Sequence, residues 1–276
     1  MVPAAVYPVP DSQTTALLMV LAFSGALAVY LLAVRPVAGG GLWGLGEMFA
    51  VTLLFVLTLP AAAHLAGIGL PFTLADLTVV ALAQNAMFVA VPLYVALARY
   101  RVSATTLGLR ADDWPRLAAV GLLGAAAAMG LAVGMERVVL YLLGLAIGPA
   151  RAEAMAAAEH AEDPLLPILN TLSGGSDLAW FFVLLAVVVP VGEEVFFRGF
   201  VYGGLRARWG PLAAAAASAL FFAAVHLQLV HGVPIFALGL LLAWLYARTG
   251  SLLPPIVAHA AHNVVAVLSA WYGWGL

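Results

Sequence analysis

Long apolar stretches separated by short polar ones repeat along the whole chain. They run near 15–34, 46–66, 75–98, 117–135, 178–197, 212–228, 233–248 and 254–272. Each is close to the 20 or so residues that a helix needs to cross the hydrocarbon core of a bilayer. The pattern predicts an all-α fold, a polytopic membrane helical bundle of about eight transmembrane helices. One long polar insert, 148–177, interrupts it. Within that insert, the stretch from Arg151 to Pro164 predicts a short surface helix. Gly174-Gly175-Ser176-Asp177 then reads as a loop leading into a helix capped by Ser176 or Asp177. The insert divides the chain into helices 1–4 (1–147), an extracytoplasmic segment (148–177) and a C-terminal four-helix core (178–276).

Composition agrees with the pattern. Of 276 residues, 65% are hydrophobic and 9% charged, against roughly 25% charged in soluble domains. Mean hydropathy is +1.09. With no cysteine, disulfides, thiolate nucleophiles and cysteine-ligated metals are excluded. The net charge of −2 gives no basis for a nucleic-acid partner; the partner that composition implies is the lipid bilayer. The first apolar run has no charged segment before it and reads as a retained helix rather than a cleaved signal.

Arginine placement sets the expected orientation. With the N-terminus outside, the inner loops hold Arg35, Arg99, Arg101, Arg110, Arg116, Arg198, Arg206, Arg208 and Arg248. Arg151, and Arg137 near it, fall outside with Asp11, Glu153, Glu159, Glu162, Asp163 and Asp177. The expectation is N-out and C-out.

Ionisable side chains inside apolar helices are costly and mark function by default. Glu193-Glu194-Val-Phe-Phe-Arg198 closes the fifth run. Glu194 and Arg198 are four apart, acid before base, the favourable order for an ion pair on one helix face. Glu193 lies about 100° away with no basic residue at i+3 or i+4. It is therefore the free carboxylate, available as a general base. The plainer alternative is an interfacial charge cluster at the helix end. His226 lies on the next run, and a turn is expected near Trp209-Gly210-Pro211. Glu193 is 17 residues before Gly210 and His226 is 16 after it. Equal distances from the turn of an antiparallel hairpin put the two at equal depth. On the last run, His259 and Asn263 share a face, with His262 one residue off it. Counting from Pro254-Pro255 puts His259 shallower than Glu193, so the fifth helix is expected to project past the bilayer on the cytoplasmic side. His231 reads as a surface residue in an outer turn, and His64 and His160 as incidental.

Two chemistries fit Glu193, His226, His259 and Asn263. Glu193 and His226 deprotonate a water while His259 and Asn263 donate to the oxyanion. Alternatively, a zinc or other divalent ion held by Glu193, His226 and His259 activates the water. The absence of a His-Glu-x-x-His pattern favours the metal-free version.

The three elements in order, Glu193-Glu194-x-x-x-Arg198, Phe222-x-x-x-His226 and His259-x-x-x-Asn263, resemble the CPBP family. That family includes type II CAAX prenyl endopeptidases and bacterial bacteriocin-processing or immunity (ABI-like) proteins. The resemblance covers about 180–270. It implies a helical intramembrane endopeptidase in which Glu193 is the catalytic base and His226 helps to bind the water. His259 and Asn263 would stabilise the oxyanion, with Glu194, Arg198 and Phe222 in support. It leaves the metal and the substrate open. Two other classes compete: a non-catalytic scaffold or immunity-type protein of the same fold, and a small transporter. The absence of an inverted repeat speaks against the transporter.

Overall fold

The structure, a computed structural model, describes residues 12–33, 42–69, 71–110, 112–163, 165–172 and 174–274. Asp11, Arg35, Pro164 and Leu276 lie outside the described residues. Among those described there are helices and no strand: α1 (Ser12–Ala33), α2 (Leu45–Leu65), α3 (Leu74–Leu93, continued by a π-turn over Tyr94–Arg99), α4 (Trp114–Ile147), α5 (Pro149–Ala161), α6 (Leu165–Thr171), α7 (Gly175–Val183), α8 (Val189–Glu194), α9 (Gly203–Ala224), α10 (Gly232–Thr249) and α11 (Leu253–Tyr272). π-turns over Leu184–Val188 and Val195–Tyr202 join α7, α8 and α9.

Seven of the described helical runs are long and apolar enough to cross a membrane. The fifth, Gly175–Ala224, is 50 residues long and contains both the 178–197 and 212–228 stretches. Its helical path breaks at Gly210 (φ 76°, ψ 170°), directly before Pro211. A left-handed φ suits glycine, and proline cannot donate back into the preceding turn, so the pair reverses the chain where the sequence predicts. The Ser218 hydroxyl donates to the Phe197 carbonyl at 2.8 Å, and the Phe197 ring meets those of Phe221 and Phe222. These contacts close the antiparallel hairpin.

Two other elements depart from expectation. α4 spans 34 residues instead of ending near 135, because the apolar sequence continues past Glu136 and Arg137. At about 1.5 Å per residue it is near 50 Å long, well beyond a bilayer core. α7 is not capped by Ser176 or Asp177. Its N-cap is Gly174 (φ 98°), followed by Gly175 (φ 70°), so backbone geometry turns the chain.

The N-terminal helices pack directly on the fifth run. α3 runs alongside it in the same direction, with the pairs Thr78/Trp180 (Nε1 to Oγ1, 2.9 Å) and Phe88/Phe196 (ring centroids 4.7 Å apart) in matching order. Between these pairs Gly192 lies against Asn85 so closely that a Cβ there would fall 2.0 Å from Asn85 Oδ1. Trp43 stacks on Phe200 (5.2 Å) and donates its indole N–H to the Phe200 carbonyl at 2.7 Å. At the same end, Glu47 accepts from Tyr100 (2.8 Å) and from the Gly44 amide (3.0 Å), tying α2 to the chain after α3.

His231 is not a free surface residue. The Glu159 carboxylate, on α5, accepts from the backbone amides of Leu229, Val230 and His231 at 2.7 to 3.1 Å. His231 Nδ1 also donates to it, at 3.0 Å. A pairing across 72 residues leaves no local trace in the sequence. Burial alone would raise the Glu159 carboxyl pKa, but the amide hydrogen bonds outweigh it and hold the group below its ordinary value. A depressed carboxyl contributes its stabilisation above its ordinary pKa and loses it as pH falls through the folded-state value. The Leu229–His231 amides are therefore expected to be protected from hydrogen exchange at neutral pH and to lose protection on acidification. Glu159→Ala should remove that protection at every pH.

Candidate active site

The site helix places two adjacent acids on α8, between two π-turns, a distortion that recurs at functional sites. As the spacing predicts, Arg198 Nη1 pairs with Glu194 Oε1 at 2.7 Å, and both side chains are fully buried. The guanidinium also reaches the Gly239 carbonyl (3.4 Å) and lies 4.5 Å over the Phe222 ring. His259, on α11, donates from Nδ1 to the same Glu194 oxygen at 2.9 Å. Glu194 Oε1 is thus shared by Arg198 and His259, while Glu194 Oε2 and Arg198 Nε are buried with no hydrogen-bond partner among the described residues.

Glu193 is placed differently. Its nearest partner is His259 Nε2 at 3.7 Å, beyond hydrogen-bond range, and its side chain keeps 12% of its exposure. It lines a cavity of about 600 Å³ bounded by α2, α3, the second π-turn and α9. His226 lines the same cavity. His226 lies in the turn that follows α9, and its Nδ1 donates at 2.7 Å to the carbonyl of Phe222 in the last turn of that helix, so in the neutral ring Nε2 carries the free lone pair. Phe222 touches Arg198, the His226 ring (4.8 Å) and the His259 ring (5.7 Å), which makes it the spacer between the buried pair and the two histidines.

His259 and Asn263 share a face of α11 but do different things. Asn263 donates to the Leu185 carbonyl at 2.9 Å, in the first π-turn. Neither His259 nor Asn263 lines the cavity that Glu193 and His226 share. His262 is half-buried, with a buried Nδ1 that has no hydrogen-bond partner. His64 and His160 are exposed.

Glu193, His226 and His259 do not converge as metal ligands. His259 spends Nδ1 on Glu194 and turns Nε2 toward Glu193, and it does not line the cavity that His226 lines. Among the described residues no group of three or more His, Asp or Glu side chains is arranged to hold a metal ion.

Two polar residues of this region carried no weight in the sequence. Gln84 and Asn85 sit side by side in the middle of α3, Gln84 on the cavity wall and Asn85 against Gly192. Their signal was an adjacent amide pair inside an apolar run.

The motif-bearing helices are the part of the chain that matches a known family. Residues 175–265 match the Rce1-like family of type II CAAX prenyl endopeptidases. The Rce1-like segment begins with α7 and ends in α11, so it holds Glu193, Glu194, Arg198, Phe222, His226, His259 and Asn263. The resemblance drawn from the motifs and the family matched are the same. The chain is also similar to the Bacillus subtilis (strain 168) protein named "Putative membrane peptidase YdiL", 34% identical over 86 residues. That similarity spans 31% of this chain and 35% of the relative. No solved structure matches the chain. Gln84 and Asn85 lie outside the Rce1-like segment.

Breaking a buried ion pair from one side leaves an uncompensated charge and costs about 3–5 kcal/mol. Arg198→Leu should therefore lower the thermal midpoint of the detergent-solubilised protein sharply. Arg198→Leu combined with Glu194→Leu should recover part of the loss, because no lone charge remains. Unfolding followed by tryptophan fluorescence checks both.

Proposed function

We propose that the chain is an intramembrane endopeptidase of a bacterial cytoplasmic membrane, hydrolysing peptide bonds in membrane-associated segments. One observation carries the reading. A carboxylate with no hydrogen-bonded partner among the described residues and a histidine with one ring nitrogen uncommitted line one largely apolar cavity. The family similarity and the peptidase-named relative support it.

In this reading a water sits between Glu193 and His226 Nε2, which accepts one of its hydrogens. Glu193 takes the other proton as the water oxygen attacks the substrate carbonyl carbon, and the carbonyl π electrons move to its oxygen. When the tetrahedral adduct collapses, the C–N bond breaks and Glu193 returns the proton to the leaving nitrogen. Glu194, Arg198 and His259 hold the base at its place, and Asn263 secures the π-turn behind it. The resemblance assigns His259 and Asn263 to the oxyanion. In this reading they act as positioning residues, supported by their absence from the lining of the cavity that Glu193 and His226 share. The cavity wall is aromatic, with Phe55, Phe88, Phe196, Phe197 and Phe221, which favours substrates with a bulky apolar residue beside the scissile bond.

The test uses the full chain in lipid vesicles with quenched-fluorescent peptides that carry apolar segments. Glu193→Gln and His226→Ala are each expected to abolish cleavage while the protein keeps its insertion and wild-type elution profile. Cleavage that persists in both variants overturns the reading and favours a scaffold. The metal-free version makes a separate prediction: elemental analysis of purified protein should find no stoichiometric zinc. A stoichiometric metal that chelation removes together with activity would refute it.

A further inference from the structure

His226 stands where α9 gives way to the loop that leads into α10. Its ring is tied back to the Phe222 carbonyl, but its backbone opens that loop. The next residue, Leu227, has φ 56°, a left-handed conformation that is costly for a bulky side chain. Its side chain is 92% exposed, so its own packing does not hold it there. A conformation of that kind persists only where its surroundings impose it.

What imposes it comes from α5. The two oxygens of the Glu159 carboxylate gather the amides of Leu229, Val230 and His231 and the His231 ring N–H. Successive amides aimed at one anion make a cradle, and among the described residues no backbone carbonyl accepts from these three. Without the carboxylate they would be left without an acceptor in a part-buried loop. Leu229 is three residues after His226, so at most about 11 Å of chain separates the clamp from the histidine. The clamp also has a firm base. α5 packs back along α4, and α4 packs along α10 and along α11, the helix that carries His259. Glu159 thereby ties the loop after His226 to the frame that holds Glu194 and, beside it, Glu193.

We propose that Glu159 is a positioning residue for the reaction: it fixes the loop that follows His226 and so keeps Nε2 aimed at the water shared with Glu193. A residue that precedes the Rce1-like segment then sets the geometry of a motif inside it. The inference rests on the endopeptidase reading above.

The test uses the full chain in lipid vesicles and a peptide that the wild-type protein cleaves, well below the thermal midpoint of every variant, so that loss of folded protein cannot account for a lower rate. Glu159→Ala is expected to lower kcat about 10²-fold, the scale for a displacement of about 1 Å at a reacting group, with KM changed little. Glu159→Gln keeps one acceptor oxygen and should lose less. Glu153→Ala, an exposed position of the same helix, should match wild type. Hydrogen exchange follows the displacement itself. The His226 and Leu227 amides donate to the Ala223 and Ala224 carbonyls at 3.1 and 3.2 Å. In Glu159→Ala they should lose protection together with Leu229–His231. Wild-type kcat in Glu159→Ala overturns the proposal, as does a change confined to KM. Protection lost at Leu229–His231 but kept at His226 and Leu227 overturns it too. Cleavage by Glu193→Gln, or by no form of the protein, sinks the endopeptidase reading itself, and the Glu159 assignment falls with it.

Discussion

Two opposite charges taken fully out of contact with solvent, on neighbouring turns of one helix, constrain everything around them. The Glu194–Arg198 pair is tolerable in an apolar bundle because Glu194 Oε1 and the far end of the guanidinium find further partners. His259 supplies an N–H from α11, Gly239 a carbonyl from α10, and Phe222 an aromatic face from α9. Three helices are drawn to one point by the need to satisfy that pair. Glu193 gains its character by exclusion. The adjacent carboxylate takes the arginine and the first nitrogen of His259, which leaves Glu193 to face the cavity.

The helix that carries both acids departs from α geometry on either side of them, and a departure of that kind misaligns backbone carbonyls that must still be satisfied. Neighbouring elements meet the need one carbonyl at a time: Asn263 at Leu185, Ser218 at Phe197 and Trp43 at Phe200. The same contacts dock the rest of the bundle. Trp43 anchors the segment before α2, Ser218 closes the hairpin, and Asn263 seats α11. Distortion at the site and assembly of the fold are in this sense one problem. It also explains why polar side chains of the apolar helices cluster around α8.

Much of this was legible in the sequence, because the signals are local. The length of an apolar run fixes a helix, and Gly210-Pro211 fixes a reversal. A four-residue spacing fixes which acid meets Arg198. What was not legible depends on contacts between distant residues. Glu159 and His231 read as unrelated surface residues, yet a carboxylate on α5 collects three amides and the ring N–H ahead of α10. Asn263 sits on the same face as His259, as its spacing requires, but the π-turn at Leu184–Val188 offers it a carbonyl that no residue pattern announces. Gln84 and Asn85 carried a weak signal, two amides amid aliphatic residues. Their weight appears only once α3 is seen to run beside Gly192 and Glu193.

The central claim is a division of labour between two adjacent, chemically identical side chains: Glu194 holds the structure and Glu193 is held by it. Thermal unfolding of Glu193→Gln and Glu194→Gln, measured side by side in one detergent, tests it most directly. The account predicts a midpoint near wild type for Glu193→Gln and a large drop for Glu194→Gln, which leaves Arg198 buried without its counter-charge. Equal midpoints for the two variants, or a larger drop for Glu193→Gln, would contradict it.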